Sequence, residues 1–343
     1  MRTYAIERNE KMSRFCYIVS ATQSYLPELV ANLNSLDFVG NVHDVHVIGI
    51  DLDEQFTSQI EKLSYKVIHH PVTEEQWQAD HGRSEVVCRK RYWYAAEFGK
   101  DYEATCVLDA DLVWVKNPEQ FFEIAAKTDF ILGPGKEQNK VYDDPHHRFN
   151  DEWVIPQGYY NRNDMCNCPV FLDAKKYEEA LRKSWEWFHT GFNPDTKIGK
   201  NMKCPDMDCM NIAFVKYAGE KNLIAMPGIQ FLGTNEQMLK PYMRAVEDKG
   251  VIRTESGIQI YCYHGQFYHK RWRNCQVENR HNCAVGYLKA DKHPETIEHM
   301  DNQAQGAMNC LYEYFKKMLD YKIVIDKKNY RHPELQLDEY PTN

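Results

Sequence analysis

Between residues 14 and 135 short apolar, β-prone runs alternate with helix-patterned stretches, and this alternation constrains the chain more than any other feature. "RFCYIVS" (14–20) leads through the polar turn "ATQS" into the helical pattern "YLPELVANLNSL". "VHDVHVIGID" (42–51), a helix near "EQFTSQIEKL", the strand "YKVIHHPV" and a helix over 84–98 follow. "ATCVLDAD" (104–111), the helix "PEQFFEIAAKT" and the strand "DFILGPG" complete the run. Neighbouring parallel strands need a long crossover, so strands separated by helices of this length predict an α/β fold with a mostly parallel sheet. Ligands of such sheets collect at the carboxyl ends of the strands.

The second half is less regular. Residues 136–165 are polar and loop-like, then come "NCPVFLD", a helix over 174–188 and the helix "DMDCMNIAFVKYA". The strands "LIAMPGIQF" and "IQIYCYHG", a helix near 304–320 and a charged tail close the chain. No internal repeat and no low-complexity segment interrupts it. The absence of G-x-G-x-x-G and G-x-x-x-x-G-K-[ST] loops removes the main support for dinucleotide and P-loop readings.

A net charge of −8 argues against a generally basic nucleic-acid binder. No run approaches the roughly 18 apolar residues of a membrane span, and "MRTYAIERNEKMSR" has no apolar core, so no signal peptide is expected. The eleven cysteines are scattered singly through strands and helices, as buried thiols of a reducing compartment are. "CNC" (166–168), Cys204/Cys209 and Cys275/Cys283 lack zinc-ribbon or finger spacing. The expected location is the cytoplasm.

"TCVLDADLVWV" (105–115) sets two acids at the end of an apolar run. Burying a carboxylate without a partner is costly, so Asp109 and Asp111 are solvated, paired, or holding a cation. In a strand, residues two apart share a face, which would project both carboxylates together and turn Ala110, with Leu108 and Cys106, back toward apolar neighbours. Such a pair is a hard-oxygen half-site suited to Mg²⁺ or Mn²⁺, able to neutralise a pyrophosphate leaving group. The same letters also fit a haloacid-dehalogenase-like phosphohydrolase with Asp109 as nucleophile. That family, however, carries the motif on its first strand, and here three strand-like segments come first.

Four ordered stretches resemble the GT-A glycosyltransferases of the glycogenin and lipopolysaccharide-galactosyltransferase type. "VSATQSY" (19–25) stands where that family has its first strand and nucleotide-binding turn, and "VLDADLVW" is similar to its metal-binding motif. "NCPVFLD" (167–173) with "KKY" is similar to its asparagine motif. "PDMDCMNIAF" (205–214) and "HGQFYHKRW" (264–272) are similar to its D-Q-D-x-x-N and H-x-x-G-x-x-K-P-W patterns. The resemblance covers residues 14–272 and implies a Rossmann-like mixed α/β sheet flanked by helices. It divides the chain into a nucleotide-binding half (14–135), an acceptor and sugar half (136–272) and a C-terminal helical extension with its tail (273–343).

The resemblance also implies roles. Asp109, Asp111 and His264 would hold the metal, and imidazole beside two carboxylates tilts the choice toward Mn²⁺ over Mg²⁺. Ser20, Thr22, Tyr25, Arg91 and Lys270 would bind the donor, a UDP-sugar, with Lys270 as a point charge on the diphosphate. Asp206, Asp208 and Asn167 would act at the sugar, and the family's transfer retains configuration; an inverting alternative would recruit Asp206 or Asp208 as general base toward the acceptor hydroxyl. The acceptor is left open among glycan, protein, lipid-linked sugar and modified nucleic acid, with the aromatic loop "WVIPQGYYNRND" (153–164) as its candidate site. The departures are Phe267 and Pro169 for glycines, Arg271 for proline and Met207 for the family glutamine. A non-catalytic nucleotide-sugar or glycan-binding module is the remaining alternative.

Overall fold

The computed structural model describes residues 13–73, 75, 90–134, 165, 168–191, 205–226, 230–232, 243–246, 251–254, 259–264, 314–315 and 317–326. The first half runs β1 (Phe15–Thr22), α1 (Leu26–Phe38), β2 (Asp44–Ile50), α2 (Glu54–Thr57), β3 (Val67–Val72), α3 (Arg91–Phe98) and β4 (Ala104–Leu108). It continues with β5 (Leu112–Trp114), α4 (Glu119–Lys127) and β6 (Ile131–Pro134). The second half supplies β7 (Val170–Leu172), α5 (Glu178–Glu186), α6 (Pro205–Ala218), β8 (Leu223–Met226) and β9 (Gln230–Leu232). The last strands are β10 (Met243–Val246), β11 (Val251–Thr254) and β12 (Cys262–His264).

Seven strands form one sheet in the order β3-β2-β1-β4-β7-β6-β8. All its pairings are parallel except those of β7, which runs against both β4 and β6. A three-stranded sheet (β5-β12-β9) and a hairpin (β10-β11) accompany it. From β1 the chain first builds outward through β2 and β3, then returns to place β4 on the other side of β1. The gap between the carboxyl ends of β1 and β4 is therefore the topological switch point, where open α/β sheets bind ligands.

Alternation along the strands divides the core in two. Phe15, Tyr17, Val19 and Ala21 of β1 face one apolar layer with α1 and α4, while Cys16 and Ile18 face the other with α3, α5 and α6. Covered on both faces, β1 and β2 are buried almost throughout, as parallel strands between helices must be. The C-terminal stretch closes the first layer with Phe315, Met318, Leu319, Ile323 and Ile325. The buried Asn34 of α1 holds it, donating to Met318 O (2.6 Å) and Ile323 O (2.9 Å) and accepting from Ile323 N (3.0 Å). No helix among the described residues is long and apolar enough to cross a membrane.

Two expected elements come out differently. The helix expected over 54–63 is one turn, α2, capped by Asp53 Oδ1 on Phe56 N (3.2 Å), followed by a 3₁₀ turn at Ile60–Lys62. Phe56 is the single buried side chain of α2, too little apolar surface to hold a longer helix, and the Gln59 amide bonds back to Gln55 O. "LIAMPGIQF" is not one strand either. β8 joins the large sheet beside β6, whereas β9 pairs with β12, the two being parted in sequence by Pro227 and Gly228.

A buried polar chain crosses β2. Tyr102 donates its hydroxyl hydrogen to Asp44 Oδ2 (2.9 Å), so its oxygen accepts from His46 Nε2 (2.9 Å). His46 Nδ1 is then an acceptor for His70 Nε2 (2.9 Å), which leaves His46 neutral. Burial, then His70 and Lys66, push its pKa down to about 3, and Phe98 stacks on the ring. Because the folded value lies below the unfolded one of about 6.5, the unfolded chain takes up the proton first. The contribution of His46 is whole above about pH 6.5 and falls by ~1.4 kcal/mol per pH unit toward pH 3. Urea midpoints measured from pH 7 to pH 5 should fall less steeply in His46→Gln than in the native protein. Equal slopes would show that this ring does not sense pH.

Candidate active site

The chain leaves the large sheet at Leu108, turns through Asp109–Asp111 and enters the three-stranded sheet at Leu112. Both acids thus sit in a turn rather than in a strand, which corrects the expectation that period-two alternation aligns them. What aligns them is pairing with β12: Leu112 lies opposite His264, Val113 opposite Tyr263 and Trp114 opposite Cys262. This register sets His264 beside the turn across 153 positions of sequence. Its Nε2 lies 3.1 Å from Asp111 Oδ1 and 3.6 Å from Asp109 Oδ2.

Charges around the turn are matched. Arg91, the first residue of α3, is buried and places Nη1 2.7 Å from Asp109 Oδ1. Burial by itself would lower the pKa of His264, but Asp111 and then Asp109 overcome it and raise it. Burial would likewise raise Asp111, and His264 with Arg91 brings it below the usual carboxylate range. The fourth group is Cys168, wholly buried just before β7. Asp109 N donates to its Sγ at 3.0 Å. Burial, then the Asp109 charge, push this thiol well above its ordinary range. A carboxylate oxygen of Asp109, Cys168 Sγ and a ring nitrogen of His264 all lie within 4.8 Å of one another.

This donor set fits a divalent cation. The Asp109 carboxylate, the His264 imidazole and the Cys168 sulfur converge, and the Asp111 carboxylate joins them through the imidazole, 3.1 Å away.

Asn32 of α1 supports the turn from below. Its Nδ2 donates to Asp109 O (3.0 Å) and Ala110 O (3.3 Å), while its Oδ1 accepts from Trp114 Nε1 (3.2 Å). Both residues are buried, so Asn32→Leu strands the indole N–H and two carbonyls. Leaving buried polar groups unmatched costs about 1–3 kcal/mol each. We expect a loss of about 3 kcal/mol in urea unfolding. A variant of native stability would remove Asn32 from this role.

The other expected residues are distributed as follows. Ser20 and Thr22 end β1, and the pairing Val19↔Leu108 sets them level with the acidic turn. Tyr25 belongs to the 3₁₀ turn Gln23–Tyr25, pinned by Gln23 Nε2 to Asp53 Oδ2 (3.1 Å). Asp206 and Asp208 fall in the first turn of α6, and their side chains lie outside the described residues, as do Asn167, Lys270 and the loop 153–164. The helix α6 is buried on more than its apolar side. Asn211 and Ile212 are as buried as Met210 and Phe214, and the Asn211 amide is spent on Met165 N (3.2 Å) and Met165 O (3.0 Å).

Sequence reasoning missed Asn32, Cys168 and the Arg91–Asp109 pair. Asn32 did carry a signal: an amide inside "LVANLNSL" has nowhere to go but a buried partner. Cys168 carried none, because its spacing to other cysteines matches no metal motif.

Sequence comparison matches no protein-family model and no curated protein. Comparison of structures does find likenesses. The galactosyltransferase LgtC, in a crystal structure with donor and acceptor sugar analogues, matches with a TM-score of 0.54 at 13% identity. That match covers 85% of this chain and 95% of LgtC. An active-site mutant of LgtC gives 0.51 at 14% identity over the same shares. The central sheet, its flanking helices and their order are those of the GT-A glycosyltransferase fold.

Proposed function

For a chain with the GT-A glycosyltransferase fold, we propose a metal-dependent glycosyltransferase, carried by residues 14–272, that moves a sugar from a UDP-sugar to an acceptor hydroxyl. The observation behind it is the meeting of His264 with Asp109 and Asp111 at the switch point of the sheet. Asp109, Asp111 and His264 would hold a divalent ion, Mn²⁺ or Mg²⁺ in the first instance. When bound, that ion supplies Lewis-acid neutralisation of the diphosphate leaving group. Arg91 pairs with Asp109 and would hold its carboxylate in place for the ion. Ser20, Thr22 and Tyr25 line the nucleotide side, and Lys270 adds a point charge at the diphosphate. Asp206, Asp208 and Asn167 hold the donor sugar, and we assign retention of configuration.

A phosphohydrolase is less well supported. Asp109 follows the fourth strand rather than the first, where that family carries its nucleophile. A thermal-shift screen of UDP-sugars with and without Mn²⁺ tests the proposal, since a ligand of the folded form at 100 times its Kd adds ~2.7 kcal/mol. Metal-dependent hydrolysis of one UDP-sugar should accompany the shift. Phosphate release from simple monoesters with no response to UDP-sugars would reject it, and binding without turnover would leave a nucleotide-sugar-binding module.

A further inference from the structure

We propose that Cys168 is itself a ligand of the metal, which makes this a carboxylate–imidazole–thiolate centre selective for a thiophilic cation such as Zn²⁺ or Co²⁺ over Mg²⁺. The inference rests on the metal site proposed above and adds to it the sulfur and its consequence for the ion.

Three observations carry it. Cys168 Sγ, an Asp109 oxygen and a His264 nitrogen form the compact set of donors, all within 4.8 Å of one another. Asp109 N donates to the sulfur at 3.0 Å, which fixes its direction beside the Asp109 turn. The sulfur is also wholly buried, at the level where β4 gives way to the acidic turn.

Hard cations such as Mg²⁺ demand near-octahedral oxygen and keep several waters, and a buried sulfur in the first shell works against them. Thiolate with imidazole favours Zn²⁺, and the general order of affinities puts Co²⁺ and Zn²⁺ above Mn²⁺. On binding, the Cys168 S–H bond breaks and an S–metal bond forms, with the thiol proton released to solvent. No electron is transferred and no co-reactant is needed.

The experiment uses full-length protein titrated with Co²⁺, alone and with UDP, followed by absorption spectroscopy. Visible d–d bands report occupancy, and an intense near-ultraviolet sulfur-to-cobalt charge-transfer band reports a thiolate ligand. The native protein should show both, and Cys168→Ala should lose the charge-transfer band while keeping the visible bands. Even outer-shell partners change metal affinity about 10–100-fold, so losing this ligand should weaken Zn²⁺ by about 100-fold or more and leave Mg²⁺ little changed. X-ray absorption of the native Zn²⁺ form should find a sulfur neighbour at about 2.3 Å, a result independent of how well the variant folds. Occupancy with nitrogen and oxygen neighbours alone, or a charge-transfer band that survives Cys168→Ala, overturns the thiolate ligand while leaving the metal site standing. No Co²⁺ binding with or without UDP overturns both.

Discussion

Asp111→Asn is expected to lower metal-dependent turnover of a UDP-sugar by at least about 100-fold while the folded protein survives. A Lewis-acid ion contributes several kcal/mol to the transition state, and every ~1.4 kcal/mol is tenfold in rate. Asparagine keeps the volume of Asp111 and its reach to His264 Nε2, now 3.1 Å away, but removes the charge that draws a cation. The rise in thermal midpoint on adding Mn²⁺ with UDP should vanish in the same variant, because that rise measures binding to the folded state. Far-ultraviolet circular dichroism and the midpoint without ligand separate this result from misfolding. Native turnover in Asp111→Asn would contradict a metal role for this turn.

Asp109→Ala should behave differently and cost stability as well as activity. It removes the partner of Arg91, which is 1% exposed, and leaves a guanidinium buried without its carboxylate 2.7 Å away. Breaking a buried pair from one side costs about 3–5 kcal/mol, whereas replacing both members by apolar groups is often neutral. Urea unfolding of Asp109→Ala should therefore show a loss of about 3 kcal/mol. Much of that loss should return in Arg91→Met/Asp109→Ala, with activity still absent. If the single and double variants are equally destabilised, Arg91 owes its burial to other contacts and the pair is incidental.

The contrast between the two aspartates could not be read from "VLDADLVW", where they look equivalent. Their local sequence does report an apolar strand ending in acids, since strand periodicity and the expense of unpaired buried charge are properties of a short window. It does not report that α3 delivers a cation to one acid and β12 an imidazole to the other. The helix α6 shows the same limit: nothing in its own sequence reports that the Asn211 amide meets Met165 through both its oxygen and its nitrogen.

Strand and helix order, the mostly parallel sheet and the position of the acids at a carboxyl end were legible in the sequence alone, because periodicity and crossover length are local quantities. Partnership was not, because it depends on register between segments far apart in the chain. Only the pairing of β5 with β12 put His264 over the turn, and only the end of β4 against the start of β7 put a sulfur beside it. Shifting either pairing by one residue would send those side chains to the opposite face, a difference no single stretch of this chain encodes.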